Sequence, residues 1–171
     1  MKALVVYESM FGNTAHVAEA IASGLRETMD VNLCAVQDAP TVPAEDIGLI
    51  VAGGPTHAFS MSRTQTRTDA ISKGASEGMV DFGLREWIDG IPREQHASAL
   101  VTFDTRVAKV RHLPGSAARS AAKAGHKHGF ESYASPESFY VEDISGPLLD
   151  GELERATAWG RKLGTRVAMP R

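Results

Sequence analysis

The sequence predicts an α/β fold in three layers, with a five-stranded parallel sheet between two layers of helices. Short apolar runs recur along the chain: ALVVY at 3–7, VNLCAV at 31–36, IGLIVA at 47–52 and SALVTF at 98–103. The first, third and fourth are almost continuously apolar, as in strands covered on both faces. Segments with helical periodicity separate them. That alternation calls for parallel strands joined by right-handed crossovers.

The helices follow from local pattern. Asn13 is placed to cap the first, and Val17, Ile21 and Leu25 then fall on one face at i, i+4 spacing. Residues 82–91 read as a second helix with Leu84, Trp87 and Ile88 turned inward. Pro114 opens an alanine-rich third helix near its first position, and Gly129 is a natural stop. A fifth strand falls within 130–141, where Pro136 makes it an edge strand or splits it in two. Asp150 caps the last helix, whose Leu153, Ala156, Gly160 and Leu163 form a stripe. Between 57 and 79 periodicity fades. That length suits a lid, a mobile surface loop, or a segment holding a short helix over 66–72.

A chain of 171 residues suits one domain spanning 1–171, and 43% apolar with 23% charged residues is ordinary for a globular protein. A net charge of −3 with scattered Lys and Arg leaves no footprint for nucleic acid. No apolar run nears the roughly 20 residues that span a bilayer, and the N-terminus lacks a signal-peptide layout. The single cysteine, Cys34, excludes an internal disulfide, suits a reducing compartment, and sits in an apolar alternation as a core thiol. The expectation is a cytoplasmic protein with no membrane or nucleic-acid partner. His126 and His128 are two apart on a helix, the wrong spacing for a shared metal, and read with Lys127 as a basic helix end. No Gly–x–Ser–x–Gly elbow is present.

In parallel α/β sheets, ligands bind at the carboxyl ends of the strands, where strand order reverses. Three loops qualify. The first, ESMFGN at 8–13, leads directly into the first helix, whose N-terminal N–H groups favour a phosphate. Ser9, Asn13 and Thr14 add short polar side chains there, and Gly12 permits close backbone approach. The lysine of a Walker loop and the three glycines of a dinucleotide fingerprint are absent. The pocket is therefore uncharged and sized for one phosphate, unless the loop is simply a tight strand–helix turn. The second loop is GGPTHAF at 53–59, and the third is TFDTRVAKVRHLPG at 102–115.

SMFGNT resembles the FMN-phosphate loop of flavodoxins, with Ser9, Gly12, Asn13 and Thr14 matching and Phe11 standing where threonine is usual. Its Ser–Met–aromatic–Gly run, through Met10 and Phe11, is also similar to loops of flavodoxin-like quinone oxidoreductases. The second loop resembles the Gly–x–Pro–Thr segment that meets the flavin edge. The resemblance implies that Pro55, Thr56, His57, Ala58 and Phe59 line the ring, with His57 or Phe59 able to stack in place of the usual tryptophan. The third loop departs from the Gly–x–Gly–Asp–Tyr pattern. Thr102, Phe103 and Asp104 take the place of contacts to the flavin's pyrimidine edge, and the tyrosine is replaced by cations, Arg106, Lys109 and Arg111. A cation about 6 Å from the ring is worth roughly 3 kcal/mol at an effective dielectric near 20. Such a charge would make the reduced, anionic flavin easier to form than in a typical flavodoxin. The tail from 138 to 160 is similar to the last strand and helix of short-chain members of the family.

The resemblance thus implies a flavodoxin-like protein that holds FMN without a covalent bond. Its cofactor would pass electrons to a redox partner protein or a small-molecule acceptor, and no side chain need be catalytic. Two alternatives stand beside this reading. One is an FMN-dependent NAD(P)H:quinone-type oxidoreductase, with Arg63, Arg67, Arg106, Lys109 and Arg111 available for anionic substrates. The other is a fold of this kind that no longer binds flavin.

Overall fold

The computed structural model describes residues 1–168. Strands β1 (Lys2–Tyr7), β2 (Asp30–Ala35), β3 (Ile47–His57) and β5 (Ala99–Val107) form a parallel sheet in the order β2-β1-β3-β5. Two short strands extend its edge. β6 (Glu131–Ser132) pairs with the start of β5, and β7 (Glu137–Val141) pairs with its end. The break between them contains Pro136, so the fifth strand is indeed an edge in two pieces. β4 (Ser60–Met61) folds back antiparallel on the end of β3, bringing the sheet to seven strands where five were expected.

The continuous apolar runs have the cause proposed for them. Alternate residues of each strand enter opposite cores: Ala3, Val5, Leu49 and Val51 on one side, Leu4, Val6, Ile50 and Ala52 on the other. Helices α1 (Asn13–Leu25) and α5 (Glu152–Ala168) cover the first side. Helices α3 (Leu84–Asp89) and α4 (Ala117–Lys127) cover the second, where Trp87 and Ala121 are fully buried. The backbones of α1 and α5 approach closely. A Cβ on Gly160 would lie 2.2 Å from the Ile21 carbonyl oxygen, and one on Gly24 would lie 2.0 Å from that of Thr157. Only glycine permits that contact.

Several local expectations shift. Asn13 is not the cap of α1; Gly12, at φ 91°, precedes the helix, and the Asn13 amide instead donates to the Ser145 carbonyl. Helix α4 begins three residues after Pro114, because Ser116 takes the cap position and its hydroxyl accepts from the Arg119 N–H. Gly129 does stop it, at φ 96°. In α5 the inward stripe holds Ala156, Gly160 and Leu163, but Leu153 is exposed. Glu152 is turned in instead, accepting the Tyr140 N–H. Gly151, not Asp150, supplies the first carbonyl of that helix. The region from 57 to 79 is structured: β4 and helix α2 (Thr64–Ser72) occupy it.

Candidate functional site

A cleft of about 240 Å³ opens above the carboxyl ends of β1, β3 and β5. This is where the chain, having laid β2 on one side of β1, lays β3 on the other. Met10, Phe11, Asn13 and Thr14 form one wall, and Pro55, Thr56, His57 and Ala58 another. Arg106 lies on the floor side with Thr105 and Val107. Residues from α2 (Thr66, Asp69, Ala70, Lys73) and from the far edge (Val141, Ile144) close it.

The loop at 9–12 is shaped from within. Ser9 is buried, and its Oγ accepts the Gly12 N–H at 3.1 Å. Gly12 sits at φ 91°, a conformation that costs a side-chain-bearing residue about 1–2 kcal/mol. The first intrahelical bond of α1 runs from the His16 N–H to the Gly12 carbonyl. The N–H groups just before it have no intrahelical acceptor and point out of the helix end. The Thr14 and Thr105 hydroxyls share a hydrogen bond of 2.7 Å. Two hydroxyls carry two protons and that bond uses one, so one proton remains for a ligand. Glu77 is an exposed neighbour: its carboxylate oxygen lies 3.2 Å from where a Gly12 Cβ would be, and its N–H donates to the Met10 carbonyl.

The second wall is held by histidine and threonine. His57 Nδ1 lies 3.0 Å from Thr66 Oγ1, tying the end of β3 to α2. Burial, followed by the nearby charges of Arg67 and Lys73, pushes the His57 pKa down to about 4. The ring is therefore neutral at pH 7 and presents a flat face with no charge. The Thr56 hydroxyl accepts the Ala117 N–H, so it braces α4.

Other expected site residues lie elsewhere. Phe59 does not line the cleft; it is half exposed at φ 63° and packs beside Gly115. Thr102, Phe103 and Asp104 lie beneath the cleft in the core, because β5 runs on to Val107 and carries the open edge beyond them. The Thr102 hydroxyl donates to the Ala118 carbonyl, and Asp104 Oδ2 accepts the Ala118 N–H at 2.8 Å. Burial raises the Asp104 pKa, opposed by that N–H, by the Ser138 and Ser116 hydroxyls and by Arg106. Arg67 is no surface cation. It is 0% exposed and donates to both carboxylate oxygens of Glu86, to the Ser62 hydroxyl and to the Val80 carbonyl.

Glu8, at the end of β1, completes that network, with Oε1 accepting from Ser62 and Oε2 from the Leu84 N–H. Reading the sequence missed this cluster, as it missed Thr66, Asp69 and Lys73. Ser62, Thr66, Arg67, Asp69 and Lys73 sit in the stretch without periodicity, where no local pattern says which residues face inward. The i, i+4 spacing of Asp69 and Lys73 was the available signal.

FMN fits these residues in two ways. The open helix end with the Gly12 turn and the spare hydroxyl proton suits a phosphate. Met10, Phe11, Ala58, Val107, Val141 and Ile144 give an apolar slot for a flat ring. The fit differs from the expected one: no tryptophan or tyrosine lines the slot, and Phe11 and His57 are its flat side chains.

No family model matches the sequence, and no curated protein matches it. Solved structures do. A flavodoxin from the domain Archaea superposes with a TM-score of 0.65 at 19% identity, covering 99% of this chain and 100% of that one. Flavodoxin 2 from Bacillus cereus gives 0.70 at 15% identity, over 97% and 99%. Rubredoxin oxygen:oxidoreductase from Desulfovibrio gigas gives 0.62 at 17% identity, covering 98% of this chain but 37% of that protein. With its three layers, its strand order and these likenesses along nearly its whole length, the chain has the flavodoxin-like fold.

Proposed function

We propose that this protein binds FMN in the cleft and serves as an electron-transfer protein. One observation carries the reading: a phosphate cradle built from a helix end and hydroxyls, and an apolar slot, meet at the carboxyl ends of β1, β3 and β5. The N–H groups at the start of α1 and the Thr14–Thr105 hydroxyl pair hold the phosphate. Ser9 fixes the shape of the loop through the Gly12 N–H. Met10, Ala58 and Ile144 keep water from the ring, and neutral His57 offers it a flat neighbour. When bound, FMN supplies the reversible electron transfer. The electrons pass to a redox partner protein or a small-molecule acceptor reaching the open side of the cleft.

A second reading rests on Lys73 and Arg106, two cations at the cleft wall, which suit an anionic donor such as a reduced nicotinamide nucleotide. In that case the protein is a reductase in its own right.

Titration of the purified protein with FMN tests both readings. Saturable quenching of flavin fluorescence is expected, and its absence would sink them together. Ser9→Ala and Thr14→Ala should each weaken binding by about 1 kcal/mol. Unchanged affinity in both would move the phosphate elsewhere. Turnover of a quinone with NADH or NADPH and no added reductase would favour the second reading.

A further inference from the structure

Charge is segregated along this chain. Residues 105–130 hold six of the 18 Lys and Arg residues and none of the 21 Asp and Glu; the other residues therefore carry 12 cations against 21 carboxylates. The fold gathers the positive stretch on one surface. In α4, Ala117, Ala121 and Gly125 face the core, so Arg119, Lys123, His126 and Lys127 share the outer face, and all four are exposed. Lys109, Arg111 and His112 are exposed on the loop that leads into the helix. Among the described residues none of these seven forms an ion pair. Arg85 of α3 adds a cation beside them. Its bonds go to the Ser60 hydroxyl and to the Met61 and Ser62 carbonyls, all neutral, and Ser60 is bonded to Ser120 of α4. Of the α3 carboxylates, Glu86 pairs with Arg67, and Asp89 lies 3.9 Å from His128 at the far end of α4.

Two exposed apolar side chains lie where this surface meets the cleft. Phe59 is 45% exposed and Leu113 is 48% exposed. Phe59 stands at the tip of the β3–β4 hairpin beside Gly115, and its neighbour Ala58 lines the cleft. Ala58 and Phe59 both have left-handed backbone, at φ 48° and 63°, where glycine or asparagine is the favoured residue. Holding a bulky aromatic there at the surface costs stability and calls for a reason outside the fold. The loop that carries Leu113 is fastened to β5, because Arg106 Nη2 donates to the Val110 and Leu113 carbonyls. An apolar centre with charged surroundings is the make-up of a protein-binding surface. The charge sets the chemistry of the partner. A patch of one sign attracts its opposite even on a molecule whose net charge is −3. Along α4 the patch runs only about 12 Å, from Arg119 to Lys127. Nucleic acid or an anionic bilayer extends far beyond that and would press its charge against the acidic remainder. The acidic face of a protein can match the patch and end with it.

We propose that this surface docks an acidic protein. Arg119, Lys123, Lys109 and Arg111 meet its carboxylates, and Phe59 and Leu113 form the centre of the contact. The surface adjoins the cleft, so the docked partner is an acidic electron-transfer protein; that role rests on the FMN reading above, whereas the docking surface does not.

The probe is a two-iron ferredoxin of net negative charge, labelled with a dye. Its binding to the full chain is followed by fluorescence anisotropy, with and without FMN. Docking is expected at low salt and should weaken at least about tenfold between about 20 mM and about 200 mM salt. A molecule acting only through its net charge of −3 would repel the probe and show the opposite salt dependence. Arg119→Glu with Lys123→Glu should weaken docking at least about tenfold, as should Lys109→Glu with Arg111→Glu, and either pair decides if the other does not fold. Arg26→Glu with Lys162→Glu, the same reversal on the α1 and α5 side, should change it less than about twofold. Phe59→Asn, which suits the turn, should weaken docking at both salt levels. None of the substituted residues lines the cleft, so each variant should bind FMN as the wild type does. No docking, docking that strengthens with salt, or an equal loss in the α1 and α5 pair would overturn the proposal. So would an unchanged Kd in Phe59→Asn, or tighter binding of duplex DNA or phosphatidylserine vesicles than of the ferredoxin. Docking without FMN binding keeps the surface and removes its electron-transfer role. FMN binding without docking overturns the surface and leaves the FMN reading intact.

Discussion

Replacing Arg67 by methionine removes the cation at the centre of the buried network and keeps most of the side-chain volume. Arg67 is 0% exposed and makes four hydrogen bonds, of 2.7 Å to the Val80 carbonyl, 2.8 Å to Ser62, and 3.0 and 2.7 Å to the Glu86 carboxylate. Removing one partner of a buried pair typically costs about 3–5 kcal/mol, because the other is left uncompensated. Glu86 is 30% exposed and can regain water, so the lower end applies, about 3 kcal/mol. For a chain of this length that is a fall of about 6–12 °C in Tm. The penalty depends on pH through Glu8, which is 2% exposed. Its pKa is already raised by burial, against the pull of Ser62, the Leu84 N–H and Arg67. Losing Arg67 raises it further. A carboxyl whose folded pKa exceeds its unfolded value stabilises most below the unfolded value and loses that contribution as pH rises through the folded one. Urea unfolding followed by circular dichroism should therefore give a larger penalty at pH 8 than at pH 5.5. Adding Glu8→Gln should flatten the difference. A penalty under 1 kcal/mol, or one equal at both pH values, would refute the reading of Arg67 as the cation that balances Glu8 and Glu86 in this buried network.

Three further outcomes follow from the same geometry. His57, depressed to about 4, contributes stability that is present above its unfolded value of 6.5 and is lost as pH falls through 4; its ring resonances should hold their neutral positions down to pH 5, and a midpoint near 6.5 would contradict its burial. Gly160→Ala forces a Cβ to within 2.2 Å of the Ile21 carbonyl, so α1 and α5 must part, at about 1–3 kcal/mol in a denaturant titration; a neutral result would mean the helices separate freely. Glu77→Gln removes a carboxylate beside the Gly12 turn and should tighten FMN binding about two- to fivefold at low ionic strength, a gain that salt erases; weaker binding would show that Glu77 supports the loop.

Much of the fold was legible because its causes are local. Strands buried on both faces write themselves as unbroken apolar runs, and ALVVY and IGLIVA did so by feeding alternate side chains to the two cores. Pro136 marked a broken edge strand for a reason contained in its own ring. The anion-binding loop was visible for a similar reason: a glycine turn opening a helix exposes N–H groups whatever the rest of the chain does. The caps were less legible. Asn13, Pro114 and Asp150 are all competent capping residues, and tertiary contacts chose Gly12, Ser116 and Gly151 as the residues just before the helices.

The sequence by itself determined the α/β alternation, the two-sided cores and the place of the first loop, since each depends on residue type and spacing within one segment. Only the tertiary structure decided what surrounds that loop. β5 runs four residues past the apolar segment that announced it, which buried Thr102, Phe103 and Asp104 and brought Thr105 and Arg106 to the cleft. Arg67 and Arg106 look alike in the sequence, as cations in polar stretches. Packing placed one in ion pairs with two carboxylates and set the other near Asp104 but, among the described residues, in no ion-pair contact. Whether a charge is paired depends on partners tens of residues away, and no local pattern carries that information.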